Sequence, residues 1–311
     1  MIKTIVIFGL LTVLLFTFDV LFGNGTFLFN QTDSFLIFQQ FRLPRALSAL
    51  AAGGMLSVSG LLMQNVFKNP LAGPDVLGIS QGAALMVALT LLAGVGFGGI
   101  ILAACLGAFF YLLLLVWASK YIKSSITLLL IGVMGGFIIS AIISTLQVIS
   151  QAEALKSYVI WSMGSFSKVE AIYAWIIFAF APFILFFSMY FSKAFDTLLL
   201  GNQKAQLLGI NSQKVFFIAI IITAIATGVS TAFCGPIAFV GLAAPHLCKW
   251  FLKTYKHQWL IPVSFFVGAS MALLADILSG GIIGGFVLPL NATLSILAAP
   301  VIIYVIVKKT L

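Results

Sequence analysis

A chain of 311 residues that is 62% hydrophobic and only 7% charged, with a mean hydropathy of +1.21, cannot cover a water-facing surface; soluble domains carry about 25% charged residues. The formal net charge of +9 invites a nucleic-acid reading, but the lysines gather at the ends of apolar runs, which is a topology signal. The runs are continuous and lack the alternation of outer-membrane strands, which favours helices over a barrel and points to an all-α, polytopic membrane protein.

In chain order, apolar windows fall at 2–22, 44–66, 76–95, 97–118, 125–148, 170–192, 215–233, 238–252, 259–278 and 288–307. These predict about ten spans of ~20 residues in a single transmembrane domain over 1–311. Met1-Ile-Lys3 and its apolar run look like a signal peptide but lack a small-residue cleavage site, so a retained first span is expected. The triplets at Asn24 and Asn30 match a glycosylation pattern that arises often by chance. The window 238–252 is short and follows the helix breaker Cys234-Gly-Pro236, which suits a partly re-entrant segment.

With the N-terminus inside, twelve Lys fall on the cytoplasmic side, and only Arg42, Arg45, Lys156 and Lys168 fall outside. That bias predicts both termini cytoplasmic. The external loop 149–169, with Tyr158 and Trp161, suits a short interfacial helix. The cytoplasmic loop 193–214 holds a polar, helix-compatible stretch broken by glycine at both ends. Ala49-to-Ala72 and Ala226-to-Pro245 echo one another and start on opposite sides, the pattern of two inverted-repeat-like halves.

The seven acidic residues avoid the middles of spans, which argues against a proton relay or an ion-coupled carrier. There is no Gly-x4-Gly-Lys-Ser/Thr phosphate loop, so nucleotide energy would have to come from another chain. His246 and His257 lack partners at ligand spacing, and Cys105, Cys234 and Cys248 read as buried thiols. No metal site, bound cofactor or catalytic cluster is expected. The pairs Gly94/Gly98, Gly132/Gly136 and Gly281/Gly285 have the spacing of close helix packing.

Arg42 and Arg45 flank Pro44 at the outer mouth of the second span, on about one face. Interfacial snorkelling and a docking site for acidic groups of an external partner explain them equally well. At the other end of that span, Asn69-Pro-Leu-Ala-Gly-Pro74 forbids a continuous helix. A tight turn and a gate or partner contact both fit.

At these residues the chain resembles the permease subunits of ATP-binding-cassette importers for ferric siderophores, haem and cobalamin. The blocks that carry the resemblance are Arg42-Leu-Pro-Arg45; Ser59-Gly60 with Gln64; Asn69-Pro-Leu-Ala72 with Pro74, Leu77-Gly78 and Gly82-Ala83; and Trp161 with Gly164-Ser165. They continue with Ala205 and Leu208-Gly209; Phe239-Val-Gly-Leu242 with Pro245-His246; Asp276; and Leu288-Pro289 with Ala299-Pro300. The resemblance implies a ten-helix permease in a bacterial inner membrane, paired with a second copy. Two cytosolic ATP-binding subunits and an external substrate-binding protein complete it.

It further implies that Arg42 and Arg45 hold glutamates of the binding protein. Asn69 and Leu71, with Ser124 and Ser125, would form the cytoplasmic gate. The loop carrying Gly201, Lys204, Ala205, Leu208, Gly209 and Asn211 would seat in a cleft of the ATPase. The expected cargo is a ferric siderophore, with cobalamin or haem as alternatives, and an ion-coupled carrier is the rival from another class. The stretch after Asp276 is glycine-rich where the family often has a further arginine, so Lys156 or Lys168 is left as the source of extra positive charge.

Overall fold

The computed structural model describes residues 1–22, 33–122, 124–280 and 288–310, so the triplets at Asn24 and Asn30 and the pair Gly281/Gly285 lie outside the described residues. Among the described residues the chain is all-helical. The helices are α1 Ile2–Leu21, α2 Ser34–Ile37, α3 Leu43–Val66, α4 Ile79–Leu91, α5 Ile100–Tyr121, α6 Ser125–Ile149, α7 Ala152–Ser162 and α8 Ala171–Tyr190. They continue with α9 Ser192–Leu199, α10 Asn202–Leu207, α11 Ser212–Cys234, α12 Val240–Leu252, α13 His257–Ser279 and α14 Leu290–Thr310. Each of the ten apolar windows is helical, but among the described residues seven helices are long and apolar enough to cross a membrane. The helices α4, α12 and α14 are the shorter or less apolar ones. The 149–169 loop contains a helix, α7, as its aromatic and small residues predict.

The second span differs from the sequence reading at its start. Helix begins at Ser34, ten residues before Pro44, and residues Phe38–Arg42 wind as a π-helical turn into α3. Proline has no N–H to donate and its ring crowds the preceding turn. A wider turn just before it lets the helix continue through Pro44. The resulting segment Ser34–Val66 is the axis of the fold, with 94% of its apolar window buried. Helices α1, α8, α11, α12 and α13 pack around it.

Small residues make that packing possible. A methyl at Gly60 would strike the Gly241 carbonyl of α12, and one at Gly241 would strike Leu56 of α3 and Pro74. Gly53 and Gly268 meet in the same way between α3 and α13, and Gly82 and Gly107 between α4 and α5. Backbones this close gain dispersion contacts that side chains would prevent, in a setting where lipid removes most of the hydrophobic drive for helices to associate. The Ser57 hydroxyl donates to the Ser264 carbonyl at 2.7 Å, and the Thr12 and Ser270 hydroxyls meet at 2.9 Å.

The glycine pairs picked by four-residue spacing do other things. Gly94 and Gly98 both have positive φ and lie in the turn between α4 and α5. The Gly132 carbonyl accepts from the Tyr111 hydroxyl at 2.9 Å. The packing pairs are far apart in sequence, so no local spacing rule finds them.

The break after α11 is buried yet satisfied. Gly235 has φ 74°, Asn291 donates to the Pro236 carbonyl at 2.9 Å, and its amide oxygen accepts from Ala238 N–H at 3.1 Å. One side chain of α14 thus covers the non-helical backbone that a low-dielectric interior would otherwise penalise. Gly60→Ala is expected to push α3 from α12 and destabilise the protein by ~1–3 kcal/mol or more. Gly96→Ala, which meets open space, leaves it unchanged; thermal unfolding of both variants in detergent micelles checks this.

Candidate functional site: the two ends of the central helix

At the arginine end, neither guanidinium stands free in the way a docking residue would. Arg42 and Arg45 are 7% and 9% exposed. Arg42 Nη1 donates to the Leu21 carbonyl at 2.6 Å and the Val20 carbonyl at 3.2 Å, the last acceptors of α1. Arg45 Nε donates to Asp276 Oδ2 at 2.5 Å, and its Nη2 to the Asp276 carbonyl at 3.0 Å. Each arginine therefore neutralises the C-terminal end of a neighbouring helix, where unpaired carbonyls and the helix dipole favour a cation.

Asp19 of α1, 4% exposed, lies beside Asp276, Arg45 and Arg42, so two arginines and two aspartates gather at this end. Sequence reasoning missed the pairing. The available signal was that all four residues fall at the same predicted end of their spans, where low dielectric forces opposite charges together. Arg45 and Asp276 also line a cavity of about 490 Å³, and Lys168 stands exposed on its wall.

At the other end, the Asn69 side chain accepts from the Leu71 N–H at 3.0 Å, and the Asn69 carbonyl accepts from Ala72 N–H at 3.1 Å. This Asx-type turn buries Ala72 and turns Leu71 outward, 43% exposed. Helix α12 holds the turn. His246, which lacked a partner at ligand spacing in the sequence, is buried, and its Nε2–H donates to the Pro70 carbonyl at 2.7 Å. Lys249 donates to Gln64 Oε1 at 2.8 Å, and Gln64 Nε2 to the Leu242 carbonyl at 3.2 Å. Ser124 caps α6, its hydroxyl accepting from Thr127 N–H at 3.3 Å. Helix α6 packs against the 74–77 turn, which brings the start of the Asn69 loop's exit close to the serine-led helix. The Ser125 side chain lies outside the described residues. Among the described residues no hydrogen bond joins Ser124 to Asn69 or Leu71.

Asp75 follows this loop. It is half-buried, and the Ser80 hydroxyl donates to it at 3.1 Å. Burial pushes its carboxyl up to about 6, with the Ser80 bond pulling the other way.

The 201–211 segment folds as a glycine-bracketed helix, as its pattern predicts. Gly201 and Gly209 take φ 98° and 77°, which glycine adopts without strain. Ala205 is fully buried and its carbonyl accepts from Ile210 N–H at 3.0 Å, while Asn211 caps α11 by accepting from Gln213 and Lys214 N–H, each at 3.1 Å. Lys204 faces out, and Leu207 and Leu208 are 88% and 61% exposed, an apolar tip on a rigid base.

The FecCD transport family model matches residues 4–308. The chain belongs to the FecCD transport family. As a member it is a transport permease subunit of an ABC importer; it is not the subunit that hydrolyses ATP. The iron(3+)-hydroxamate import system permease protein FhuG of Bacillus subtilis is 32% identical over 304 residues, covering 94% of this chain and 88% of that one. The vitamin B12 import system permease protein BtuC of Yersinia enterocolitica is 32% identical over 284 residues, covering 90% and 84%. A solved chain described as a metal-chelate type ABC transporter in an inward-facing conformation superposes with a TM-score of 0.91 at 29% identity, over 99% of this chain and all of that one.

Two outcomes follow from this FecCD geometry. Asp276→Ala removes the carboxylate to which the buried Arg45 guanidinium is hydrogen-bonded and is expected to destabilise by ~3–5 kcal/mol, whereas Arg45→Met with Asp276→Leu recovers part of the loss; melting temperatures in detergent decide it. For Asp75, a folded value above the unfolded one (near 3.8) means no cost below pH 4, a growing cost from there to about 6, and the full cost above. Asp75→Asn is therefore expected to raise the melting temperature at pH 7 and to leave it unchanged at pH 4.

Proposed function

We propose that this FecCD permease carries a ferric hydroxamate-class chelate inward across a bacterial inner membrane, powered by ATP hydrolysed in partner subunits. The observation that carries the reading is the near-complete superposition on the metal-chelate type transporter chain. The FhuG relative, named for iron(3+)-hydroxamate import, supports the cargo and aligns over 94% of the chain. A cobalamin cargo is the second reading, favoured by the BtuC relative at equal identity.

In the proposed assembly the ten apolar helices are all crossings, arranged as two inverted-repeat-like halves, and both termini are cytoplasmic. Two copies of the chain enclose the pathway. The turn 69–74 and the start of α6 at Ser124 and Ser125 narrow its inner mouth, and Leu71 is the side chain turned out toward it. The exposed Leu207–Leu208 tip, with Lys204, enters a cleft of each ATP-binding subunit. An external binding protein docks at the arginine end. Its carboxylates reach Arg45 by exchanging with Asp276, and the exposed Lys168 on the same cavity supplies the accessible charge that steers them. The chain itself binds no cofactor.

The test is uptake into proteoliposomes holding this chain with its ATP-binding subunits and binding protein. Ferric hydroxamate is expected to enter only with ATP inside and to be indifferent to a collapsed proton gradient. Entry of cobalamin but not ferric hydroxamate overturns the cargo. Entry that survives ATP removal overturns the importer reading.

A further inference from the structure

Three polar side chains meet where α3, α9 and α13 come together, and neither the family match nor the sequence motifs assign them a role. Asn65 is in the last turn of α3, four residues before Asn69. Asp196 is on α9, five residues before Gly201. His257 is the first residue of α13. Asn65 and His257 are buried, at 6% and 2% exposure. Asn65 Nδ2 donates to the Phe195 carbonyl at 2.9 Å and lies 3.0 Å from His257 Nε2. Asp196 Oδ1 accepts from the His257 N–H at 2.8 Å and lies 2.7 Å from His257 Nδ1.

The hydrogen bonds fix their own direction. A backbone carbonyl only accepts, so the Phe195 carbonyl forces the Asn65 nitrogen, and not its oxygen, toward this junction. The histidine Nε2 facing that nitrogen must then be the acceptor. Its proton sits on Nδ1, where it is donated to Asp196. The chain Asn65 to His257 to Asp196 is thus a one-way relay with a single tautomer.

It also does a second job at its end. Lys256 provides no side-chain cap for α13, and Asp196 supplies from another helix the acceptor that a cap would. The two His257 bonds hold the Asp196 carboxyl below its usual range against the opposing effect of its partial burial, with Lys256 adding to them.

Two cavities adjoin this junction. A cavity of about 690 Å³ lies on one side, lined by Asn65, Lys68, Leu198 and Gln206 among others, and one of about 590 Å³ on the other, lined by Asn65, Pro70, Leu199 and His257. Asn65 lines both cavities, and His257 lines the second. Apolar packing transmits a push but lets surfaces slide, whereas a directional chain of bonds between three helices transmits a rotation as well.

We propose that Asn65, His257 and Asp196 are positioning residues that carry displacement of the ATPase-coupling loop through α9 to the end of α3, and so to the Asn69–Pro74 gate. The inference rests on the functions proposed above for those two segments. A purely structural junction would, when broken, reduce assembly, hydrolysis and transport together. A relay, when broken, leaves the complex intact and hydrolysing but separates hydrolysis from transport.

The experiment uses the full complex in proteoliposomes, with ferric hydroxamate and cobalamin as probes, and reads molecules transported per ATP hydrolysed beside ATP-binding subunit retained on purification. Asp196→Ala and His257→Ala are expected to keep the complex and its hydrolysis while transport per ATP falls about five-fold. Asp196→Asn, whose amide oxygen still accepts both His257 donors, is expected to stay near wild type. An unchanged ratio in the alanine variants overturns the relay, as does a proportional loss of transport and hydrolysis. If an alanine variant does not assemble, Asn65→Leu, similar in size and without donors, is read by the same two criteria. A wild-type complex that moves neither probe with ATP overturns the cargo proposed above, which sets that failure apart from failure of the relay.

Discussion

The structure depends on how closely other backbones can approach α3. Gly53, Gly60, Gly241 and Gly268 remove the side chains that would hold α12 and α13 away, and almost the whole of α3 is buried as a result. In lipid the apolar surface of a helix gains little by leaving one hydrocarbon medium for another, so contact density must supply the attraction. Once α3 is the axis, its two ends are fixed relative to every helix around it. The ion cluster at Arg45 and the turn at Asn69 inherit that rigidity.

Both ends solve the same problem by different chemistry. Helices that stop inside a low-dielectric interior leave carbonyls and N–H groups without partners. At one end Arg42 and Arg45 donate to the terminal carbonyls of α1 and α13. At the other, Asp196 accepts the first N–H of α13, and Asn211 those of α11. Several of the buried polar side chains sit where a helix begins, ends or turns. The 69–74 turn and the 201–211 segment are such places.

The sequence made the all-helical membrane class, the positions of the ten apolar helices and the glycine-bracketed 201–211 helix readable, because each rests on local pattern. Hydropathy runs, Pro44, Pro70 and Pro74, and Gly201 and Gly209 act within a few residues of themselves. The features that escaped are non-local. Arg45 could be placed at a helix end but not assigned to Asp276, 231 positions away. His246 and His257 looked partnerless because their partners, Pro70 and Asp196, are carried on other helices. The start of the second span was missed for a different reason: Pro44 reads as a first-turn residue, and only the π-helical turn before it lets helix continue upstream.

The Arg45–Asp276 pair also sets a timetable for the chain's own synthesis. The two residues are 231 positions apart, and at ribosomal rates of ~5–20 residues per second the second follows the first by roughly 10–50 s. Throughout that interval Arg45 is on an inserted or inserting apolar helix with no counter-charge from α13, and its long side chain must reach toward the polar boundary to stay hydrated. Gly53 and Gly60 wait somewhat less long for Gly268 and Gly241. The central helix is therefore made early and completed last, and the nascent protein passes through a long-lived state in which its future axis is its least satisfied element.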